Sequence, residues 1–459
     1  MFNPKAFAVI LALCGSSALA QDRVDVPLDQ ASAVAAQALV NGDAALALQI
    51  AETVVAARPD DRSAHVVIAA AAPRLGDPAK GRRAGARAWA LSRGDAQKYE
   101  AARLTALAAA NEQRFTLSTF WLRRALTVAP DEAARTQTLS DARIVRQRNP
   151  WSTQLSFSLT PSSNLNGGSE TDELVVDGVS TGGQFSDDSQ ALAGWRASLG
   201  LGTQYRFQQN AQSRSLIGLQ YQIGRSKITD DASIPDESFD TAVIELSLRH
   251  DRALSTGTIS ARASHTRFDY RDFIRASDTT VGEYYQISRA GLSRQIPIDN
   301  RTVLTFSFDR ERVRYSIDAI GDVNRYIIGT SAGLRLDSGN QIRGTFTLTD
   351  SDGDNPNYTS NQQSVGVSYE WAEPIGPLTL SIGGKIAWTD YPDFNLPLTN
   401  IANGRQDTTV SAFANIGFPE FSYAGFTPGL RLDAAKTDSN VSRYARNSLS
   451  LGFTLRSQF

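Results

Sequence analysis

The sequence has 459 residues, a formal net charge of −2 and 41% hydrophobic residues. Its one Cys and one Met both fall within residues 1–20, which excludes disulfides, thiol chemistry and Cys-based metal sites from the rest of the chain. Residues 21–150 hold 18 Lys+Arg against 14 Asp+Glu, whereas residues 151–459 hold 27 against 34. The chain therefore consists of two chemically different parts.

The first predicted element is a secretory signal peptide over residues 1–20. Lys5 precedes an apolar run over residues 6–13, and small residues follow up to Ala20. This three-part plan is typical of a cleaved secretion signal, so we expect the mature N-terminus at Gln21. No later window approaches the roughly 20 consecutive apolar residues that a membrane-spanning helix needs.

Residues 21–148 are predicted to form a domain of helical repeats. Ala, Leu, Arg and Gln are abundant, and apolar residues recur at helical spacing. Helix-ending residues recur at Pro59, Gly94 and Pro130, with spacings of 35 and 36 residues, close to the roughly 34 residues of a tetratricopeptide repeat. Stacked repeats present a concave surface that usually binds a peptide or a protein, so we expect binding rather than mere capping of a neighbouring domain.

Residues 149–459 are predicted to form a β-barrel. From Trp151 to Leu159 apolar residues alternate with polar ones, and the same alternation recurs to the end of the chain. Thirteen connections alternate strictly between long and short, which predicts fourteen antiparallel strands with short periplasmic turns and long outer loops. The fold class is therefore α + β multidomain, with tetratricopeptide-like helices followed by a 14-stranded antiparallel transmembrane barrel.

The predicted strand count is inferred from the alternation of long and short connections. The long loops are predicted near residues 162–193, 225–238, 270–280, 316–324, 350–361, 390–407 and 436–446. The short turns are predicted near residues 208–213, 250–256, 297–301, 337–340, 373–377 and 419–422.

The polar face of these strands is expected to line the lumen, because lipid-facing charge near the bilayer midplane costs about 2–4 kcal/mol. The candidate lumen-facing basic residues are Arg196, Arg206, Arg335, Arg343, Lys385, Arg431 and Arg456. They would either guide an anionic passenger or pair with Glu245, Glu370 and Asp433 along the wall, and both interpretations stay open.

The last predicted strand carries Phe453 and Leu455, and the sequence ends in Phe459. This pattern resembles the signal by which the barrel assembly machinery recognises the proteins it inserts. An even strand count returns the C-terminus to the side of the helical domain. We therefore expect the outer membrane of a Gram-negative bacterium, with the helical domain in the periplasm.

Nothing in the sequence indicates catalysis, so we predict no enzyme, no cofactor and no metal site. His65, His250 and His265 lack a convincing triad context. The acidic run over residues 350–355 looks like a calcium loop but has Asn355 where an EF-hand needs Gly, and we interpret it as a solvated outer loop. There is no Gly-rich phosphate loop and no nucleic-acid motif.

The junction NPWSTQLSFSLTPSSNLNGGS, residues 149–169, resembles the start of the barrel in the surface lipoprotein assembly modulator (Slam) family. The sharpest match is Pro161, Asn164 and Asn166, like that family's Pro-x-x-Asn-Ile-Asn pattern. The resemblance implies a translocon component that exports lipoproteins or other client proteins to the cell surface. It also implies as partners a client protein, a periplasmic chaperone, the barrel assembly machinery and outer-membrane lipid.

Two other functions fit the same layout. An exopolysaccharide export pore also joins tetratricopeptide repeats to a barrel, and a basic lumen suits acidic sugar chains. A diffusion porin is the third hypothesis, although porins usually have 16–18 strands and would leave the helical domain without a task.

Overall fold

The computed structural model describes residues 27–270, 284–396, 401 and 403–457, and the side chains of residues 456 and 457 are not among what it describes. Residue contacts divide the chain at Glu112 into two compact units, the second of which spans Gln113–Phe459. The predicted signal peptide lies outside the described residues.

The described part of the chain begins with seven α-helices. They are α1 (Leu28–Val40), α2 (Ala44–Ala57), α3 (Arg62–Ala71), α4 (Pro78–Leu91), α5 (Asp95–Asn111), α6 (Phe115–Thr127) and α7 (Glu132–Arg148). The ends of α2, α4 and α6 fall two or three residues before the predicted helix-ending positions Pro59, Gly94 and Pro130.

Aspartate side chains determine where four of these helices begin. Each accepts a hydrogen bond of 2.7 to 2.9 Å from a backbone amide three residues later, which satisfies one of the free N–H groups of the first turn. The capping residues are Asp43, Asp61, Asp77 and Asp131. The sequence around the predicted breaks therefore ends one helix and starts the next.

Small side chains let the helices of the first unit approach closely. Its core is mostly alanine, with Val54, Val67 and Ile68 as the larger buried residues. Gly85 of α4 lies directly against Thr105 of α5, and a Cβ at Gly85 would collide with the Thr105 side chain. Close packing of this kind compensates for the small apolar area that each alanine buries.

The C-terminal part is a closed antiparallel barrel of fourteen strands, with one additional hairpin outside it. The strands are β1 (Trp151–Ser162), β2 (Glu173–Val176), β3 (Val179–Gln184), β4 (Gly194–Gln209), β5 (Ser213–Ile228), β6 (Thr241–Leu254), β7 (Gly257–Tyr270), β8 (Tyr284–Pro297), β9 (Thr302–Tyr315), β10 (Asp322–Arg335), β11 (Gln341–Gly353), β12 (Ser360–Glu370), β13 (Thr379–Tyr391), β14 (Arg405–Gly417), β15 (Phe426–Ser439) and β16 (Arg446–Ser457). The hairpin β2–β3 lies within the first long connection, and β1 pairs with β4 and β16 to close the barrel.

The predicted strand count is confirmed. The predicted strict alternation of connection lengths holds only in part, because the turns over residues 371–378 and 418–425 are longer than the loops over residues 316–321, 354–359 and 440–445. The barrel strands are 11 to 16 residues long, which exceeds the roughly 9–11 residues needed to cross a bilayer at a tilt. The acidic run predicted as an outer loop differs in part, because β11 continues through Asp350 and Asp352 to Gly353. Among the described residues, no helix is long and apolar enough to cross a membrane.

The junction between β1 and β16 differs from the others. Register pairs join the two strands at Ser158, Leu159 and Ser162, with gaps between and before them, whereas β1 pairs with β4 at every residue of the strand. Pro161 contributes to the gap because proline has no backbone N–H to donate to the ladder. The barrel therefore closes through its most sparsely paired junction in the described chain.

Candidate functional site: the barrel lumen and its two rims

Strand register determines which side chains face the lumen. On β1, Leu155, Phe157 and Leu159 are exposed on the outer face, while Gln154 and Ser156 line an internal cavity of about 400 Å³. The alternation continues around the wall, with exposed outward residues that include Leu199, Leu246, Leu292, Ile328, Val365, Trp388, Val410 and Leu451. The outer surface is an apolar band and the lumen is polar, as an outer-membrane barrel requires.

Aromatic side chains lie at the ends of the apolar band. At the short-turn rim Trp151 packs against Tyr205, with tilted rings whose centroids are 4.7 Å apart. At the long-loop rim Trp195 and Tyr326 are exposed on the outer face. Such girdles mark the interfaces between hydrocarbon and head groups.

The junction motif organises the first long loop. The Asn164 amide donates to the carbonyl oxygens of Gly168 at 3.0 Å and Asn447 at 3.1 Å, which ties the loop to β16. Asn166 donates to Asp188 and Gln190 and accepts from the backbone amides of Gly168 and Leu192.

Pro161, the third residue of the motif, lies in β1 opposite Trp195 of β4, next to the gap in the β1–β16 pairing. The loop-end position of these residues was predictable from sequence. The hydrogen bonds that the two asparagines make were not.

Packed loops cover part of the long-loop mouth. Val176 of the β2–β3 hairpin joins Phe394, Ile401 and Val441 in a buried apolar cluster, and Val176 bridges to Val441. Nearby, the Arg405 guanidinium lies 3.6 Å and 3.7 Å from the ring centres of Tyr391 and Tyr444, so the cation is enclosed by aromatic faces.

Asp188 ties the first long loop to the second. Its carboxylate accepts from the Ser233 backbone amide at 2.9 Å and from the Ser233 hydroxyl. These hydrogen bonds, the hydroxyl first, hold the pKa of Asp188 below its ordinary value.

The structure gathers three of the predicted lumen cations on one wall. Arg343, Lys385 and Arg431 line a cavity of about 390 Å³ together with Asp433. Arg431 donates to Asp433 at 2.7 Å, one of the pairings that the sequence left open. No carboxylate of the described residues lies within ion-pair distance of Arg343 or Lys385.

The other predicted cations lie apart from this wall. Arg196 lines a different cavity of about 500 Å³ and approaches Ser226 at 3.4 Å. Arg335 lies on the inward register at the short-turn end of β10. The backbone of Arg456 pairs with Thr427 on β15, and its side chain lies outside the described residues.

Arg206 caps a helix. Its Nη2 donates to the carbonyl oxygens of Gln147 at 3.0 Å, Arg148 at 3.4 Å and Asn149 at 3.1 Å. These are free carbonyl groups at the C-terminus of α7, where the helix dipole favours a cation. The same helix places Arg146 in the cavity beside Gln154 and Glu245.

A second anchor joins α6 to the short-turn rim. Arg123 donates to the carbonyl oxygen of Ala424 at 2.9 Å, and its guanidinium lies 4.2 Å from the ring centre of Phe426. Burial lowers the pKa of Arg123 from its ordinary value. The helices α6 and α7 are therefore attached on the β15 side and on the β4 side of the sparsely paired junction.

A ladder of ion pairs on the opposite wall was missed by the sequence analysis. Asp309 and Glu311 are only 4% and 3% exposed although they face the lumen, because arginines cover them. Arg262 donates to Asp309 at 2.7 Å, and Arg289 donates to Glu311 at 2.6 Å. Register parity could have found both acids, since Phe306 and Phe308 point outward on the same strand.

Nearer the short-turn end, Asp251 accepts from Arg214 and Arg249, each at 2.7 Å. Of the acidic partners proposed from sequence, Glu245 instead accepts from the Thr266 hydroxyl at 3.0 Å. The cations of this wall are thus largely neutralised by carboxylates. The alternation of apolar and polar residues in the sequence does not reveal these pairs.

The remaining candidate residues are dispersed. Phe453 and Leu455 of the assembly signal lie exposed on the outer face of β16, and Phe459 lies outside the described residues. His65 contacts the Pro59 carbonyl oxygen at 2.9 Å, while His250 and His265 contact Ser215 and Ser288 at 2.8 and 3.0 Å. Within the described ranges no group of three or more His, Cys, Asp or Glu residues could hold a metal ion.

One family model matches part of the chain. Residues 251–459 match the model described as surface lipoprotein assembly modifier, which covers the end of β6 and all of β7–β16. The match does not include Pro161, Asn164 and Asn166. No curated protein matches the sequence.

Solved outer-membrane proteins are similar to this chain at low identity. The channel DcaP of Acinetobacter baumannii has a TM-score of 0.37 and 11% identity, covering 66% of this chain and 96% of that chain. A loop L8 deletion mutant of OmpT from Vibrio cholerae has a TM-score of 0.34 and 8% identity, covering 67% of this chain and 99% of that chain. OprD of Pseudomonas aeruginosa has a TM-score of 0.31 and 10% identity, covering 66% of this chain and 94% of that chain.

Proposed function

We propose that the protein is an outer-membrane translocon component that moves lipoproteins from the periplasm to the cell surface, because residues 251–459 match the model described as surface lipoprotein assembly modifier. The family match is the observation that carries this function, since it covers ten consecutive barrel strands. A protein of this family has surface lipoproteins as clients, and the matched model is not that of an enzyme family.

The helical region supports a role in receiving the client. Its two-helix spacing of about 35 residues fits stacked repeats, which usually bind extended or partly unfolded polypeptides. We assign α6 and α7 to the periplasm because short turns lie on that side of outer-membrane barrels, and because both helices attach to the short-turn rim. A periplasmic chaperone that delivers the client is a further partner of this proposal.

The lumen supports passage of a polypeptide. Its walls carry Ser, Thr, Gly and Gln with paired charges, as around Gln154 and Ser156, so a hydrated chain would meet few apolar surfaces. Neutralisation of Arg262 and Arg289 by Asp309 and Glu311 removes part of the basic character that favours an acidic sugar chain. The cavity around Arg343 and Lys385 keeps the polysaccharide exporter as the second candidate function.

The test compares cells with and without the gene. Surface proteins are measured by protease shaving and mass spectrometry, and surface sugars by composition analysis. Loss of one or two lipoproteins from the surface, with accumulation in the periplasm, is the expected result. Unchanged proteins with a missing polymer would identify a sugar exporter instead, and no change in either would favour a diffusion porin.

A matched pair of complementing variants tests the lumen as the route. Arg343→Gln with Lys385→Gln removes two inward charges from one cavity, whereas Arg252→Gln with Arg301→Gln removes two charges near the short-turn rim. Passage through the lumen predicts altered export with the first pair only. Equal export by both pairs would argue that the client moves outside this cavity.

A further inference from the structure

Three arginines follow one another on the outward face of β9. Phe306 and Phe308 are exposed on that face, and Asp309 and Glu311 face the lumen, so the intervening even-numbered positions point outward. The next three of them are Arg310, Arg312 and Arg314, all exposed. We call these three residues the outward arginine column.

The column begins where the apolar band ends. In register with Phe308, the neighbouring strands place Leu292 and Ile328 on the outer surface, and both are more than half exposed. One step along β9, Arg310 lies between Ala290 and Tyr326. The strand then ends at Tyr315, before a long loop, so the column spans the boundary between hydrocarbon and the outer head groups.

The column carries more positive charge than the protein neutralises. Asp322 lies 2.7 Å from Arg312 and 3.6 Å from Arg314, and it is the carboxylate that these two cations share. Arg310 lies 5.8 Å from the ring centre of Tyr326 and has no carboxylate within ion-pair distance among the described residues. Three cations against one anion leave an excess of two positive charges.

In the described part of the chain, the strands on the β8 side supply no carboxylate that pairs with the column. In register with Arg314, β8 offers the neutral Gln286, and Arg267 lies beyond it. Arg267 is itself paired with Asp269 at 2.7 Å and lies over the Tyr284 ring.

On the other side, Asp350 and Asp352 of β11 lie beyond Tyr326 and Asn324 of β10 on the same outward face, but no ion pair of the described residues joins either of them to the column. The excess charge is therefore local to β9.

A phosphate group is a suitable ligand for such a column of arginines. The planar guanidinium groups can each hold two phosphate oxygens, and adjacent outward positions on one strand allow two arginines to share one phosphate. Charge at this depth costs little near the interface, about 0–1 kcal/mol, so the arginines can stay charged while their stems contact the lipid.

We propose that the outward arginine column binds the phosphate groups of a phosphorylated lipid in the outer leaflet. The lipid's acyl chains would lie on the apolar band around Phe308 and Ile328, and its head-group phosphates would meet Arg310, Arg312 and Arg314. This site concerns the lipid-facing surface and is independent of the export of any client.

The experiment measures lipid binding by the full-length purified protein. The probes are bis-phosphorylated lipid A and the same lipid A with its phosphates removed, added to the protein in neutral detergent and detected by native mass spectrometry. Arg310→Gln with Arg312→Gln is expected to weaken binding of the phosphorylated lipid at least tenfold, without changing binding of the dephosphorylated lipid. Rising salt should weaken binding to the wild type more than to this variant.

The control variant is Arg252→Gln with Arg301→Gln, which removes the same charge near the short-turn rim. It should bind the phosphorylated lipid like the wild type, and all variants should show the heat-dependent gel shift of a folded barrel. Equal binding of both lipids, or equal weakening by both variants, would overturn the proposal. Competition by millimolar inorganic phosphate alone would show a free-phosphate site and would also overturn the lipid assignment.

Discussion

Arg262 and Asp309 meet across an intervening strand of the barrel wall. Their side chains lie on β7 and β9, with Nε and Oδ1 2.7 Å apart, and the residue between them on β8 is Gly291. A Cβ at Gly291 would collide with the Asp309 carboxylate. The missing side chain therefore makes room for an ion pair between strands that are not neighbours.

Asp309→Asn should destabilise the barrel by about 1–2 kcal/mol. Hydrogen bonds to charged groups contribute about 1.5–3 kcal/mol, and the half-exposed Arg262 reduces that value because the lumen is polar. The measurement is urea unfolding in lipid vesicles. The double variant Asp309→Asn with Arg262→Gln should recover part of the loss, and an unchanged unfolding midpoint for the single variant would contradict the role of the pair.

Asn166→Ala should loosen the first long loop while leaving the barrel folded. The substitution removes four hydrogen bonds that hold residues 168–192 together. Protease added to intact cells should then cut this loop at least several times faster. Asn210→Ala is the matched control, because Asn210 similarly holds a turn at the opposite rim; faster surface cleavage in this control would contradict the interpretation.

Arg206→Ala should fray the C-terminus of α7. The cation at the helix end contributes up to about 2 kcal/mol in a partly buried geometry, so amide exchange near Asn149 should accelerate by up to about thirtyfold. Hydrogen exchange with mass spectrometry measures this. Arg206→Lys should restore part of the protection, and equal exchange in the wild type and the alanine variant would show that the capping bonds add nothing.

A disulfide across the β1–β16 junction should stabilise the barrel more than one elsewhere in the wall. Ser158→Cys with Thr454→Cys joins register partners 296 positions apart, whereas Ser247→Cys with Ser264→Cys joins partners 17 positions apart on β6 and β7. Loop entropy alone favours the first by about 2.5 kcal/mol. The temperature of the gel shift, with and without reductant, measures both, and equal shifts would argue against a weak junction.

Acid should release the contact between Asp188 and Ser233. Because the folded-state pKa of Asp188 is lowered, the contact is complete above its ordinary pKa of 3.8 and is lost as the pH falls through the lower folded value. A fluorophore on Asp231→Cys should keep high anisotropy at pH 5 and lose it below that folded value. Asp188→Asn should give low anisotropy at both pH values; high anisotropy in that variant would contradict the assignment.

The alternation within strands and the positions of the polar connections were sufficient to predict the barrel from sequence. Each outward apolar residue must lie two positions from the next, so Leu155, Phe157 and Leu159 determine the face of β1 without knowledge of its partners. The family resemblance inferred from residues 149–169 is confirmed by the match over residues 251–459. The helix ends followed from proline, glycine and aspartate near the breaks.

Pairings across strands could not be predicted in the same way. Parity places Asp309 in the lumen, but its bond to Arg262 depends on two successive registers and on Gly291 between them. Arg206 likewise has the inward parity of a lumen residue, yet its role depends on where α7 ends relative to β4. The sequence pattern specifies the face of a strand on which each residue lies, whereas a contact depends on the distances between separate elements.

The sparsely paired β1–β16 junction also determines the order in which the barrel can assemble. Most neighbouring barrel strands are joined by a short stretch of chain, so each can add to an open sheet with a small entropy loss. Ser158 and Thr454 meet only after nearly 300 residues are in place. Pairing of β16 with β1 is thus the step that converts an open sheet, with an unsatisfied edge in the membrane, into a closed wall.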